Sequence, residues 1–80
     1  MHYTYILQSE KDGSYYIGFT KQLQKRIRQH NAGRSKYTSR HRPYELVHCE
    51  KFESKEEAVE REKYLKSLKN IKGFLQNRQQ

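Results

Sequence analysis

Three side chains suited to phosphate chemistry occur in the stretch YYIGFTKQLQKRIRQH. Its first part is typical of a short strand and contains Tyr16, and the remainder is typical of a basic amphipathic helix that contains Arg26 and His30. Leu23 and Ile27, four residues apart, form the apolar stripe of that helix. Arg26 and His30 lie beside this stripe, whereas a solvated helix face carries its charges opposite the core. We therefore expect Tyr16, Arg26 and His30 to face a single phosphate group.

A carboxylate in an unusual position occurs in a second predicted helix, which begins at Ser54. Ala58 and Leu65 lie on the apolar side of this helix, and Glu62 falls between them. A carboxylate directed at a small core is costly unless it is paired or binds a cation. The sequence therefore leaves two interpretations of Glu62, an ion pair with a basic neighbour such as Arg26 or a ligand for Mg²⁺. One or two carboxylates, completed by water and substrate phosphates, suffice for that ion, while zinc-type ligand spacing is absent from the sequence.

The positive charge is concentrated in one part of the chain. The net charge is +8, and residues 21–42 hold eight basic residues and no acidic one, so the remaining nine basic and nine acidic residues balance. A continuous positive surface attracts polyanions and gains affinity by releasing their counterions. We expect this block to bind nucleic acid rather than to serve only as a solubilising face. The predicted contacts, besides Arg26, are Lys21, Lys25, Arg28, Arg34, Lys36, Arg40 and Arg42.

The scaffold that must position these groups is predicted to be an α+β fold in a single domain spanning residues 1–80. We expect a small three-stranded antiparallel sheet, made of an N-terminal β-hairpin and a third strand, flanked by two to three helices. Asp12 and Gly13 suit the positive-φ positions of the hairpin turn, and the Thr20 hydroxyl suits the start of the basic helix. The predicted elements are strands at 3–8, 15–19 and 44–52, helices at about 20–33, from Ser54 and near 71–75, and a basic loop at 34–42.

Size and cysteine content limit the remaining possibilities. A chain of 80 residues buries only about 60% of its unfolded surface, so we expect a thin core. Cys49 is the only cysteine, and we expect it to be a small core residue in a reducing compartment. No apolar segment approaches the length of a membrane span. These features favour a cytoplasmic protein, which we expect to be a monomer.

With these features in place, the sequence resembles the GIY-YIG nuclease superfamily. Tyr16-Ile17-Gly18 matches the second half of its motif, and Tyr3-Thr4-Tyr5 aligns with the first half. Arg26 lies eight residues after Gly18, where the family carries its catalytic arginine, and His30 matches a histidine of many members. Glu62 falls at the metal-binding glutamate of the late helix. The chain looks closest to small stand-alone bacterial members related to the structure-specific endonuclease branch. It departs from the motif at Tyr3-Thr4, in place of Gly-Ile, and at Phe19, where several active members are polar or basic.

The resemblance implies a metal-dependent DNA endonuclease active in repair or recombination, alone or inside a larger assembly with protein partners. Glu62 would hold Mg²⁺ (or Mn²⁺), Arg26 would clamp the scissile phosphate of a branched or nicked DNA, and Tyr16 or Tyr5 would deprotonate or orient the attacking water. His30 would assist proton transfer or bind phosphate. A catalytically inactive nucleic-acid-binding module of the same fold is the main alternative. An RNA-binding or protein-interaction domain is the third interpretation.

Overall fold

The computed structural model describes residues 1–34 and 39–77 of the chain. The strands are β1 (His2–Ser9), β2 (Tyr15–Thr20) and β3 (Tyr44–Phe52), and the helices are α1 (Leu23–Asn31), α2 (Lys55–Ser67) and α3 (Ile71–Asn77), with a 3-10 turn at Ser39–His41. The strands form one antiparallel sheet in the order β2-β1-β3. The predicted α+β class, with a hairpin, a third strand and three helices, is confirmed.

The central strand β1 sets the two faces of the sheet. Its side chains alternate, so that Tyr5 and Leu7 point to one face while Thr4 and Ile6 point to the other, and all four are buried. Helix α1 covers the first face through Leu23 and Ile27, and helices α2 and α3 cover the second face. Because helices lie on both faces of so small a sheet, groups on α1 and α2 meet only at an edge of the sheet.

The hairpin turn differs in detail from its prediction. Gly13 has φ +78°, but Asp12 does not share this conformation, since Gly13 and Gly33 are the residues with positive φ in the described part of the chain. The Ser9 hydroxyl instead closes the turn by accepting hydrogen bonds from the backbone N–H groups of Lys11 and Asp12. The turn is therefore formed by one glycine with positive φ and by the hydroxyl of a buried serine, whereas the prediction had positive φ at both residues of an Asp-Gly pair.

The start of α1 also differs from its prediction. The helix begins at Leu23, and its N-cap, Gln22, makes no side-chain capping bond. The Thr20 hydroxyl accepts a hydrogen bond from the Gln22 N–H at 3.1 Å, so it stabilises the turn before the helix rather than capping it. At the other end Gly33 adopts φ +79° just beyond the helix, as predicted. Because the helix begins later than predicted, Lys21 and Gln22 lie in the connection between β2 and α1.

Cys49 was expected in the core, and this prediction is wrong because the residue is exposed. It lies on β3, an outer strand of which Tyr44 is the buried residue. The helices cover β1 fully but β3 only in part. An apolar residue on β3 can therefore remain exposed. Helix α2 starts where it was predicted, with Ser54 as its N-cap in a capping box: the Ser54 hydroxyl accepts from the Glu57 N–H, and the Glu57 carboxylate accepts from the Ser54 N–H. Across the described ranges, no helix is long and apolar enough to cross a membrane.

Candidate active site

A buried tyrosine lies directly under the glycine of the Tyr-Ile-Gly sequence. Tyr5 on β1 pairs with Gly18 on β2, and its side chain is 1% exposed. A Cβ added to Gly18 would lie 2.7 Å from the Tyr5 hydroxyl and 2.9 Å from its Cζ atom. Only a residue without a side chain leaves room for the Tyr5 hydroxyl at this edge of the sheet.

The histidine of α1 is the partner of this tyrosine. His30 is fully buried, and its Nε2 atom lies 3.2 Å from the Tyr5 hydroxyl. Burial, assisted by the charge of Arg26, lowers the pKa of His30 to about 4. The ring is therefore neutral at pH 7, so Nε2 can accept the hydrogen bond that the Tyr5 hydroxyl donates. The ring of Tyr16 packs against His30 with a centroid separation of 4.8 Å.

Arg26 lies one helical turn before His30 and faces the same tyrosines. The nearby Tyr5 hydroxyl is the main cause that raises the pKa of Arg26 further above its ordinary value. The Nη1 atom also donates a hydrogen bond to the Gln29 side chain at 3.2 Å. The guanidinium is thus oriented by Gln29 and keeps its positive charge at every pH at which the protein is folded.

Glu62 approaches this group from the other side of the sheet. Helix α2 packs against Ile6 and Ile17 through Leu65, yet Glu62 lines the same cavity as Tyr16 and Arg26. We call this space, of about 480 Å³, the tyrosine cavity; its lining also includes Tyr5, Gly18, Lys25 and Gln29. The Glu62 side chain is 15% exposed and forms an ion pair with Lys66 at 3.3 Å. The carboxylate is thus paired with a basic neighbour, as the ion-pair interpretation has it, although the partner is Lys66 on the same helix and not Arg26.

The ionisation of Tyr5 differs from what a general base requires. Burial raises the pKa of Tyr5 above its ordinary value of 10.0, and the charges of Tyr16 and Glu62 add to the rise, against the hydrogen bond from Arg26. The hydroxyl therefore keeps its proton at neutral pH. Tyr5 is suited to link Arg26 to His30 by hydrogen bonds, and it is not suited to remove a proton.

The chain is similar to known proteins over most of its length. A family model described as "GIY-YIG catalytic domain" matches residues 1–74 of the chain. The chain belongs to the GIY-YIG family. GIY-YIG domains act on DNA and are generally nucleases, so this protein has a nuclease-type fold.

Individual GIY-YIG relatives are similar along most of their length. The UPF0213 protein YazA of Bacillus subtilis is 43% identical over 75 residues, which cover 92% of this chain and 75% of YazA. A UPF0213 protein of Halobacterium salinarum is 45% identical over 69 residues, covering 85% and 88% of the two chains. The solution NMR structure of a UPF0213 protein from Bacillus halodurans matches with 42% identity and a TM-score of 0.55, covering 90% of this chain and 77% of that one. The names of these relatives state no activity.

The predicted nucleic-acid contacts of this GIY-YIG chain lie only in part at the tyrosine cavity. Lys25 lines the cavity itself, and Lys21, Lys25 and Arg28 line a neighbouring cavity of about 500 Å³ on the outer side of α1. The other described members of the set are exposed and lie within the 3-10 turn or on either side of it: Arg34, Arg40 and Arg42. Lys36 lies outside the described residues. Within the described ranges, no group of three His, Cys, Asp or Glu side chains is placed to hold a metal ion.

Two residues of the GIY-YIG site were not singled out from the sequence. Gln29 holds the Arg26 guanidinium, and Lys66 neutralises Glu62. Both are detectable in principle, because they lie three or four residues after their partners and therefore on the same helix face. Neither residue was assigned to the site from the sequence.

Proposed function

We propose that this protein is a metal-dependent DNA endonuclease that hydrolyses phosphodiester bonds. One observation carries the proposal: Arg26 and Glu62, from helices on opposite faces of the sheet, line one cavity together with Tyr5 and Tyr16. Phosphodiester hydrolysis needs charge neutralisation on the phosphoryl oxygens, an oriented water and help for the leaving oxygen. A cavity that combines a fixed guanidinium, a carboxylate and two phenols contains a group for each need.

Arg26 is the group that binds the scissile phosphate. Its planar guanidinium can donate two parallel hydrogen bonds to phosphate oxygens, and Tyr5 and Gln29 already restrict its orientation. Lys25 on the same cavity wall adds a second positive charge. Negative charge that develops on the phosphate during attack is therefore met by donors that are already in place.

Glu62 is the residue that would hold a divalent metal ion. The tyrosine cavity contains a single carboxylate, which fits Mg²⁺ or Mn²⁺ because these ions complete their coordination with water and substrate phosphates. Lys66, the present partner of Glu62, has a side chain that is 56% exposed and can turn into solvent when a cation takes its place. A bound divalent cation would neutralise the phosphate and stabilise the leaving oxygen.

The two tyrosines have different roles in this proposal. Tyr5 is buried, stays protonated and transmits the position of His30 to Arg26. Tyr16 is only half-buried and lines the cavity, so its hydroxyl is the one that contacts the attacking water. Ring contact with the buried His30 fixes the direction of the Tyr16 side chain. Tyr16 orients the water or accepts its proton. His30 packs against both tyrosines on their buried side and does not contact the phosphate.

The second candidate function is a nucleic-acid-binding module that no longer cleaves. The ion pair between Glu62 and Lys66 favours it, because a carboxylate neutralised by its own helix has less affinity for a metal ion. Both functions use the same basic surface. They differ in whether Glu62 exchanges Lys66 for a cation when DNA is present.

Cleavage assays on branched, flap, nicked and plain duplex DNA distinguish the two functions. With Mg²⁺ or Mn²⁺ the wild-type protein should cut at least one substrate related to repair or recombination. Glu62→Gln and Arg26→Gln should each lower kcat by about 100-fold or more, as expected for a group that stabilises transition-state charge. Glu60→Gln, an exposed position on the same helix, is the matched control and should retain full activity.

Three outcomes are informative. Cleavage that persists in both cavity variants contradicts the proposed site. If the wild-type protein binds DNA but cleaves none of the substrates with either metal ion, the result supports the binding module. Loss of cleavage in Glu62→Gln with unchanged DNA affinity supports the endonuclease, because it separates the chemical step from binding.

A further inference from the structure

Phe19 is a large aromatic residue that the two cores leave unexplained. It follows Gly18 on β2, is half-buried, and belongs to neither of the hydrophobic clusters on the two sides of the sheet. Its ring lies instead between two cavities, since it lines both the tyrosine cavity and a second one of about 540 Å³. An aromatic ring that borders two polar cavities keeps apolar surface in contact with water. This contact is unfavourable unless a ligand covers the ring.

The second cavity, which we call the Phe19 cavity, is positively charged. Its lining consists of His2, Phe19, Thr20, Lys21, Gln22 and Lys55. This lining contains no carboxylate, and in the described part of the chain neither lysine forms an ion pair. Lys55 is also the first residue of α2, where the helix dipole disfavours a cation. Helix stability therefore does not account for Lys55.

The two cavities adjoin each other. Phe19, Thr20 and Gln22, at the connection between β2 and α1, line both of them. A nucleic-acid strand whose phosphate is held by Arg26 in the first cavity passes Phe19 on its way into the second. The next groups that it meets are an aromatic ring and two ammonium groups.

We propose that the Phe19 cavity is a subsite for the nucleotide adjacent to the phosphodiester bond held by Arg26. The Phe19 ring stacks on an unpaired base, and Lys21 and Lys55 contact the flanking phosphates. This inference rests on the proposed function, because it places the reacting phosphate in the tyrosine cavity. Bases within a duplex are stacked on both sides already, so a base on Phe19 has to be unpaired. The favoured substrates are therefore flaps, frayed or nicked ends and single strands, and continuous duplex is disfavoured.

The test measures binding with the metal chelated by EDTA, so that the nucleic acid stays intact. Short single-stranded DNA oligonucleotides carry the fluorescent base 2-aminopurine at each position in turn, and stacking on an aromatic ring quenches it. At one or more positions the wild-type protein should quench the fluorescence, and Phe19→Leu should abolish that quenching. This variant should weaken binding about 5-fold or more, the factor that corresponds to the lower end of base–aromatic stacking energies.

Lys55→Gln is a second, independent variant at an exposed position, so it leaves the core intact. It should reduce the slope of the logarithm of affinity against the logarithm of salt concentration by about 0.7, the value for one phosphate contact on a single strand. Lys63→Gln, an exposed lysine of the same helix that does not line the Phe19 cavity, should leave the slope unchanged. Circular dichroism and thermal unfolding identify a variant that fails to fold.

The proposal is overturned if Lys55→Gln keeps the wild-type salt slope, or if folded Phe19→Leu keeps the wild-type quenching. It is also overturned if the wild-type protein binds continuous duplex as tightly as single strands. Because no step of this test requires cleavage, its failure is distinct from failure of the endonuclease proposal. Phe19-dependent binding by a protein that never cleaves DNA would retain the subsite and reject the enzyme.

Discussion

Replacing His30 by glutamine should change how the stability of the protein depends on pH. His30 is fully buried, and burial lowers the pKa of the folded protein's imidazole to about 4, whereas an unfolded histidine has a pKa of about 6.5. Between these two values the unfolded chain binds more protons than the folded one. The free energy of unfolding must then rise with pH in this range, and the contribution of His30 is present above about pH 6.5 and lost as the pH falls to about 4.

The size of the effect follows from the same two pKa values. Each pH unit below the unfolded pKa removes about 1.4 kcal/mol from the free energy of unfolding until the folded group protonates. Lowering the pH from 8 to 5 should therefore remove about 2 kcal/mol through His30 alone. For a domain of 80 residues this corresponds to a fall in Tm of about 8 to 16 °C.

Chemical denaturation at several pH values between 5 and 8, with wild-type protein and His30→Gln, measures this contribution. Glutamine can still hydrogen-bond to Tyr5 but does not titrate, so the variant's pH profile should be flatter by about 2 kcal/mol over this range. The other groups around the ring are Tyr5, Tyr16, Tyr44 and Arg26, and none of these residue types titrates between pH 5 and 8.

Parallel pH profiles for the two proteins would refute the reasoning. An NMR titration that placed the His30 ring protons at a pKa of 6 or above would refute it independently. In either case the folded protein would take up this proton at nearly the same pH as an unfolded histidine, and burial would not keep the His30 ring neutral down to about pH 4.

Two other substitutions test how the scaffold holds the site. Gly18→Ala would place a methyl group 2.7 Å from the Tyr5 hydroxyl, so we expect it to cost about 1–3 kcal/mol of stability and to abolish cleavage, as thermal unfolding and nuclease assays can show. Unchanged activity would mean that the position of Tyr5 is not critical. Glu50→Gln breaks the paired bonds of 2.9 and 3.1 Å that its carboxylate accepts from Arg61, and we expect urea denaturation at pH 7 to show a loss of about 1–2 kcal/mol. A loss below about 0.3 kcal/mol would mark the pair as solvent-screened.

The fold was predictable because its local signals agree with one another. The hairpin, the strand at Tyr44–Phe52 and the capping box at Ser54 each follow from patterns a few residues long, and the structure contains all of them. The exposure of Cys49 was not predictable in this way. Whether a position on an outer strand is buried depends on how far the helices extend over the sheet, and this is a tertiary property that periodicity does not report.

The candidate site was predictable as a set of residues but not as a set of interactions. Spacing on one helix was sufficient to group Arg26 with His30, and the position of Glu62 on an apolar helix face was sufficient to mark it as unusual. The partner of Glu62 was not identified, because Arg26 and Lys66 are both cations within reach on sequence grounds. The raised pKa of Tyr5 was also missed, since the sequence indicates how many positive charges lie near the hydroxyl but not how deeply it is buried.

Burial of Tyr5 explains why a fold of this size can build a polar site at all. Helix α1 contributes Arg26 and His30 on one face of the sheet, and helix α2 contributes Glu62 from the other. The groups can meet only where no side chain of the sheet lies between them. Gly18, on the outer strand β2, provides that place. The Tyr5 hydroxyl fills the space that a side chain at Gly18 would occupy, and it links His30 to Arg26. A site assembled around a neutral, buried hydroxyl avoids placing a charge in the core, and the charged groups Arg26 and Glu62 remain at the edge, where a phosphate can reach them.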